Sequence, residues 1–330
     1  MPRLIQELGI DLGTTSVLVY VPDKGVVLRE PSLVAIDASS KKIRAVGDAA
    51  QSMLSKIPGE VIAIRPLKDG VISDYFTTEK MLRNFLLRLC KNKILKPRVV
   101  ICVPSSVTEV EKRAVVEAAE AAGARQALVI EEPLAAAIGA GIDITRPVGS
   151  LVVDIGGGTT DTAVISFGGI VVSNSIKTAG NRFDEAIVRY IRDKYGIAIG
   201  ERTAEDIKIN IGCVFPRDEE LSMEVLGRSL VSGLPKTITV TSSELLSPLT
   251  ECFTDIIDSV HTTLSQTPPE LVADISTSGI VLTGGGSLIS GCEKLLQRET
   301  GLSVTLAEDA VACVAKGTGL ALSVTEYINR

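Results

Sequence analysis

Two stretches of the chain share one pattern of apolar and polar positions. Leu8-Gly9-Ile10-Asp11-Leu12 is an apolar run that carries an acid near its end, turns through Gly13-Thr14-Thr15, and resumes as an apolar run at residues 17–21. Leu151-Val152-Val153-Asp154-Ile155 does the same, turns through Gly156-Gly157-Gly158-Thr159-Thr160-Asp161, and resumes as Thr162-Ala163-Val164-Ile165. Apolar runs broken by a Gly/Thr turn read as β-hairpins. Two in the same frame imply duplicated domains, each opening on such a hairpin. Elsewhere strand and helix patterns alternate. Residues 99–103 predict a strand closed by Pro104, and Thr108-Glu109-Val110-Glu111 predicts a capping box. Behind it Val110, Ala114, Val115, Ala118 and Ala122 recur at helical spacing up to Gly123. Residues 128–130 read as a strand, and Pro133 then opens an Ala-rich helix at a first-turn position. Phe183, Ile187, Tyr190 and Ile191 mark a helix ending near Gly196. Residues 243–265 read as helix, with Pro248 setting its first turn and Pro268-Pro269 beyond its end. Residues 280–282 are a buried strand that runs into Thr283-Gly284-Gly285-Gly286. The stretches 31–65 and 215–241, rich in short strands and turns, read as a small subdomain on each main domain.

Composition narrows this picture. The length of 330 residues suits two domains. Hydrophobic residues make up 45% and aromatics only 3%, so the cores are aliphatic, as in buried parallel sheets. Few aromatics and a net charge of −6 argue against a nucleic-acid partner. The six cysteines form no CxxC pair, which argues against a zinc site or a disulfide framework. His261, the only histidine, has no partner motif and reads as a bland surface or core residue. No secretory signal is evident and no apolar run approaches the roughly 20 residues of a spanning helix. A cytoplasmic protein, at most peripheral on a membrane, is expected.

The chemistry lies in the two turns. Gly- and Thr-rich backbone lets main-chain N–H groups and hydroxyls approach phosphate oxygens. One such turn is an ordinary hairpin; two, each preceded by an acid, are expected to clasp a nucleotide's phosphates from both sides of a cleft. Asp11 and Asp154 would then meet a hydrated magnesium ion, which keeps several waters and takes few carboxylates. A Walker A loop is absent. Gly139-Ala140-Gly141 ends a helix instead of opening one, so it is not a dinucleotide fingerprint.

The pair Ile10-Asp11-Leu12-Gly13-Thr14 and Asp154-Ile155-Gly156-Gly157-Gly158-Thr159 resembles the phosphate loops of the actin, chaperone-ATPase and sugar-kinase superfamily. Glu131-Glu132-Pro133-Leu134-Ala135-Ala136-Ala137-Ile138-Gly139-Ala140-Gly141 is similar to the connecting motif of bacterial actins. Ile64-Arg65-Pro66-Leu67-Lys68-Asp69-Gly70-Val71-Ile72, Gly233-Leu234-Pro235-Lys236-Thr237, Thr267-Pro268-Pro269-Glu270-Leu271 and Leu282-Thr283-Gly284-Gly285-Gly286 extend the resemblance to the MreB family.

The resemblance implies an actin-like (ribonuclease H-like) α/β fold with an interdomain nucleotide cleft. One core would comprise residues 1–31, 66–145 and 315–330, with a small insertion at 32–65. The other would comprise 146–181 and 242–314, with an insertion at 182–241. It further implies an ATP/ADP-binding, slowly hydrolysing protein. Self-assembly would give filaments on an anionic membrane surface that organise cell-wall synthesis and cell shape. By residue, it places Glu132 where a carboxylate orients the attacking water, and Thr159 at the γ-phosphate. Glu205 falls near the ribose, Lys208 near the adenine, and Gly284, Gly285 and Gly286 on the adenosine side. From spacing alone Glu205 and Lys208 also fit a solvated ion pair on one helix face, with Thr203 and Asp206 suggesting the helix's capped start. Asp161 reads as a turn residue. The family usually carries Asn where this chain has Ser16, and Asp where it has Asn181. Ile94 and Leu95, set among Lys91, Lys93, Lys96 and Arg98, match the family's membrane-contacting loop, with Leu4 and Ile5 as helpers; a plain basic connector is the alternative. Rival readings are an actin-like filament that positions plasmids or organelles, and a small-molecule kinase of the superfamily.

Overall fold

A computed structural model describes residues 7–57, 59–90 and 96–328. The repeated sequence pattern becomes a repeated sheet. In the first, the strands run Gln126–Glu131, Arg98–Val103, Glu7–Leu12, Ser16–Val21, Gly25–Pro31. In the second they run Gly169–Ile176, Thr160–Ser166, Ser150–Ile155, Ile280–Thr283, Val304–Leu306. Each has the same plan: a central strand bearing an aspartate, two antiparallel strands on one side, two parallel strands on the other. The inner strands Arg98–Val103 and Ser150–Ile155 are apolar on both faces and nearly sealed from water, as expected when helices cover both sides. Expectation and structure agree that this is an α/β protein of two related domains.

Several boundaries follow from local chemistry. Thr108 and Glu111 form the reciprocal capping box at the head of helix Glu109–Ala122, and Gly123 ends it. Pro133 lies in the first turn of helix Glu132–Gly139. Helix Gly180–Tyr195 stops at Gly196, which adopts the left-handed conformation glycine tolerates best. Pro248 departs from expectation. Helix Ser242–Gln266 starts earlier than its apolar pattern, capped by Thr241 and Glu244, so Pro248 lies inside the helix and not in its first turn. Residues 32–65 hold a three-stranded sheet, Ile43–Val46, Val34–Asp37, Val61–Ile64, under helix Asp48–Lys56. Helices Gly180–Tyr195 and Glu201–Ile211 pack beside a second small sheet, Ile197–Ala198, Ser222–Ser229, Pro235–Thr241. The stretch 215–241 is thus a long hairpin, not a set of short strands.

Among the described residues three large apolar cores result, with two smaller clusters beside them. One fills the first domain around Ile10, Ile101 and Phe85, and another the second around Ile155, Phe183 and Phe253. The third lies between them. It joins Val100, Cys102 and Ile130 of the first sheet to Val152 and Ile165 of the second, through Leu134, Ala135, Ala136 and Ala137 of helix Glu132–Gly139 and Val314 of helix Cys313–Ile328. These helices cross at Gly139 and Gly317. A Cβ on Gly139 would collide with the Cys313 carbonyl, and one on Gly317 with that of Ala135. Among the described residues no helix is long and apolar enough to cross a membrane.

Candidate functional site

The two hairpin turns close in the same way. Gly13 N donates to the Ser16 carbonyl at 3.1 Å, and Gly156 N to the Thr159 carbonyl at 2.9 Å. They face each other across a cleft of about 580 Å³ between the domains. Their backbones nest: a side chain on Gly157 would strike the Thr15 hydroxyl, and one on Gly158 the Thr14 hydroxyl. Thr14 Oγ1 also accepts from Gly70 N at 2.9 Å, and Thr15 Oγ1 donates to Asn181 Oδ1 at 3.2 Å. Asn181 therefore keeps an acceptor at the position where the resemblance expects a carboxylate. Gly284, at φ 83°, presses against the Ile155 carbonyl and brings the third glycine run to the same cleft.

Every residue assigned from sequence to the phosphates, the metal or the nucleoside lines this cleft: Asp11, Gly13, Thr14, Thr15, Glu132, Asp154, Gly156, Gly157, Gly158, Thr159, Glu205, Lys208, Gly284, Gly285 and Gly286. One local reading is corrected, and one alternative from spacing is not realised. Thr203 does not cap its helix; Glu201–Ile211 begins two residues earlier on Gly200, without a side-chain cap. Lys208 does not pair with Glu205. Its ammonium lies 2.9 Å from Asp184 Oδ1 and donates to the Gly180 carbonyl at 3.2 Å, on the neighbouring helix. Ile94, Leu95, Lys91, Lys93, Leu4 and Ile5 lie outside the described residues.

The floor of the cleft is acidic. Asp11 Oδ1 accepts from the Cys102 thiol at 3.4 Å, and Asp154 Oδ1 from Thr283 Oγ1 at 2.7 Å. Glu132, the first residue of its helix, is 8% exposed and has no hydrogen-bond partner among the described residues. Asp161, read from sequence as a turn residue, is fully buried; Ser105 N and Ser105 Oγ both donate to its Oδ1 at 2.9 Å, tying the two domains together. Its depth follows from register. A four-residue turn places Asp161 directly opposite Asp154 in the antiparallel ladder, so both point to one face of the sheet. Burial without a neighbouring cation disfavours the charged forms. It pushes Asp11 up to about 6, against the Cys102 hydrogen bond. Burial pushes Asp154 to about 7 against the Thr283 bond, with the charges of Asp161 and Asp11 adding to it. Glu132 is held well above the ordinary carboxyl range by burial first, then by Asp161, Asp11 and Asp154.

Comparison with known proteins fits this geometry. The family model described as MreB/Mbl protein matches residues 5–330. The chain belongs to the MreB/Mbl family. Cell shape-determining protein MreB of Escherichia coli (strain K12) is 51% identical over 326 residues, 97% of this chain and 94% of that protein. Cell shape-determining protein Mbl of Bacillus subtilis (strain 168) is 52% identical over 320 residues, 96% of each. MreB5 of Spiroplasma citri, solved with ADP, superposes with a TM-score of 0.93 at 43% identity, covering 98% of both chains. The double helical MamK filament, at a TM-score of 0.81 and 24% identity over 97% of this chain and 98% of that one, shares the fold. The actin-like architecture expected from sequence is that of the MreB/Mbl family.

The raised carboxyls have a consequence for the ligand-free protein. From about pH 4 to about pH 7 the folded state holds protons that the unfolded chain has released, so its stability falls as pH rises through that window. Asp154→Asn removes one such charge while keeping an acceptor for Thr283. We expect it to raise the ligand-free melting midpoint at pH 8 by the equivalent of about 2 kcal/mol, and to shrink the difference between pH 5 and pH 8. A lower midpoint at pH 8 would show that the carboxylate has a stabilising partner.

Proposed function

We propose that this protein is an ATP-binding, slowly hydrolysing bacterial actin whose filaments lie on the inner face of the membrane and organise cell-wall synthesis. The observation that carries the reading is the pair of interlocked turns, each following a strand that carries an aspartate, half-buried Asp11 and buried Asp154, with Glu132 facing the same cleft. Backbone N–H groups of the two turns, with the hydroxyls of Thr14, Thr15 and Thr159, donate to phosphate oxygens. Thr159 reaches the terminal phosphate. Glu205 accepts from ribose hydroxyls, and the bare backbone of Gly284, Gly285 and Gly286 lets the adenosine approach closely. MreB5 bound to ADP or AMPPNP supports a nucleotide in this cleft, and the MamK filament supports self-assembly.

The donor set fits a magnesium ion. Asp11, Glu132 and Asp154 line the cleft as hard oxygen donors. Among the described residues no three acidic, cysteine or histidine side chains converge closely enough to hold a bare ion. Asp11 and Asp154 would hold it through water. Bound with the nucleotide, magnesium supplies positive charge that offsets both the phosphates and these acids. Glu132 then accepts a hydrogen bond from a water and aims its lone pair at the terminal phosphorus. Positioning of this kind makes hydrolysis a timer of assembly, with no second substrate required.

Glu132→Ala should keep ATP affinity within about 3-fold while slowing phosphate release by about 10²-fold, the scale of a lost general base. Wild-type turnover in a folded variant removes Glu132 from the mechanism.

Membrane attachment rests on Ile94 and Leu95 among the surrounding cations, in a chain of net charge −6. Each cation near an anionic leaflet contributes about 1 kcal/mol, and a filament multiplies weak contacts. Pre-assembled filaments should therefore pellet with anionic vesicles, and Ile94→Ser with Leu95→Ser should leave only salt-sensitive residual binding. Full co-sedimentation of the double variant makes the loop a connector.

A further inference from the structure

The cleft has an end that the phosphate turns do not reach. Beyond the third glycine run its walls are aliphatic: Ile209 is 69% and Leu288 54% exposed, yet both line the cleft. Large apolar side chains open to solvent inside a concave site suit a flat, weakly hydrated ring. Lys208, assigned to this end by resemblance, has its ammonium held by Asp184 and Gly180 beside the second phosphate turn. Its charge is already satisfied there.

Arg217 is different. It lines the same cleft, half-buried; its Nη2 donates to the Gly212 carbonyl at 3.1 Å, and the guanidinium also meets the Cys213 sulfur. Its Nε is buried without an acceptor, and among the described residues no carboxylate pairs with it. A guanidinium carries five N–H donors in a rigid fork, so most of its capacity is unused. The segment that delivers it is pinned. Val214 N donates to the Ser290 carbonyl at 2.9 Å, and Phe215 packs against Gly291 with the Arg298 guanidinium 5.5 Å from its ring centroid. Pro216 then restricts the backbone just before Arg217. Such a side chain loses little further entropy when it meets a ligand. The other arginine lining the cleft, Arg29, stands exposed on the first domain, where solvent weakens any contact it makes.

We propose that Arg217 is the residue through which the cleft reads the base of its nucleotide, donating to acceptor nitrogens on the edge of a purine that lies between Ile209 and Leu288. The assignment rests on the nucleotide reading of the cleft and deepens it by naming a specificity-determining residue on a segment outside every phosphate motif.

Two ligands separate the ideas. ATP carries the base; inorganic tripolyphosphate does not. Both are titrated with magnesium against the full-length wild type, Arg217→Ala and Arg217→Gln. Loss of a charge-assisted hydrogen bond predicts ATP binding weaker by about 10-fold or more in Arg217→Ala, with tripolyphosphate binding unchanged. Arg217→Gln, which keeps an N–H donor, should recover part of the difference. Wild-type ATP affinity in Arg217→Ala overturns the assignment alone. Equal loss of both ligands, in a variant that melts as the wild type does, also overturns it, because the guanidinium would then act as a general cation. A wild type that binds neither ligand overturns the nucleotide reading and this inference together.

Discussion

Helices Glu132–Gly139 and Cys313–Ile328 pass between the two sheets so closely that no side chain fits at their crossing. Gly139 and Gly317 bring backbone against backbone, and Gly9 repeats the device where Gly319 meets the central strand of the first sheet. Much of the architecture depends on this contact. Leu134, Ala135, Ala136 and Ala137 then fill the space between the sheets, and the strand ends that bear Asp11 and Asp154 come to one cleft. Glu132 belongs to the same helix, so the packing that joins the domains also places the acid.

The cleft created in this way is unfavourable when empty. Asp11, Glu132 and Asp154 line its floor, and what holds them is modest: a thiol for Asp11 and a hydroxyl for Asp154. Lys208, which lines the cleft, is committed to Asp184. Buried like charges without a counter-ion cost free energy that a ligand bearing a divalent cation returns. On the proposed reading, a nucleotide in this cleft would help to join the domains, and its state would alter how the two halves sit. Coupling of that kind is what a filament protein needs if hydrolysis is to alter assembly.

The repeated hairpins were legible because both used one apolar frame and one turn chemistry. The capping box at Thr108 and the Pro133 start were legible because they depend on residues close in sequence. Harder to read were features set by distance. Asp161 looks like a turn residue until the ladder register pairs it with Asp154. Lys208 and Glu205 share a helix, yet the lysine turns to Asp184, which no local spacing announces. Pro248 fell inside its helix because Thr241 and Glu244 cap the chain ahead of the apolar pattern. Arg217 sits in no motif; only the pinning of residues 213–217 to the loop at Ser290 brings it to the cleft.

The central claim is that both turns grip the same phosphates. Amide hydrogen exchange at residues 13–16 and 156–159, with and without magnesium and a non-hydrolysable ATP analogue, tests it most directly. The account predicts that both turns gain protection together, at one ligand concentration, since each supplies N–H donors to one phosphate chain. Protection of a single turn, with the other exchanging as in the free protein, would contradict it.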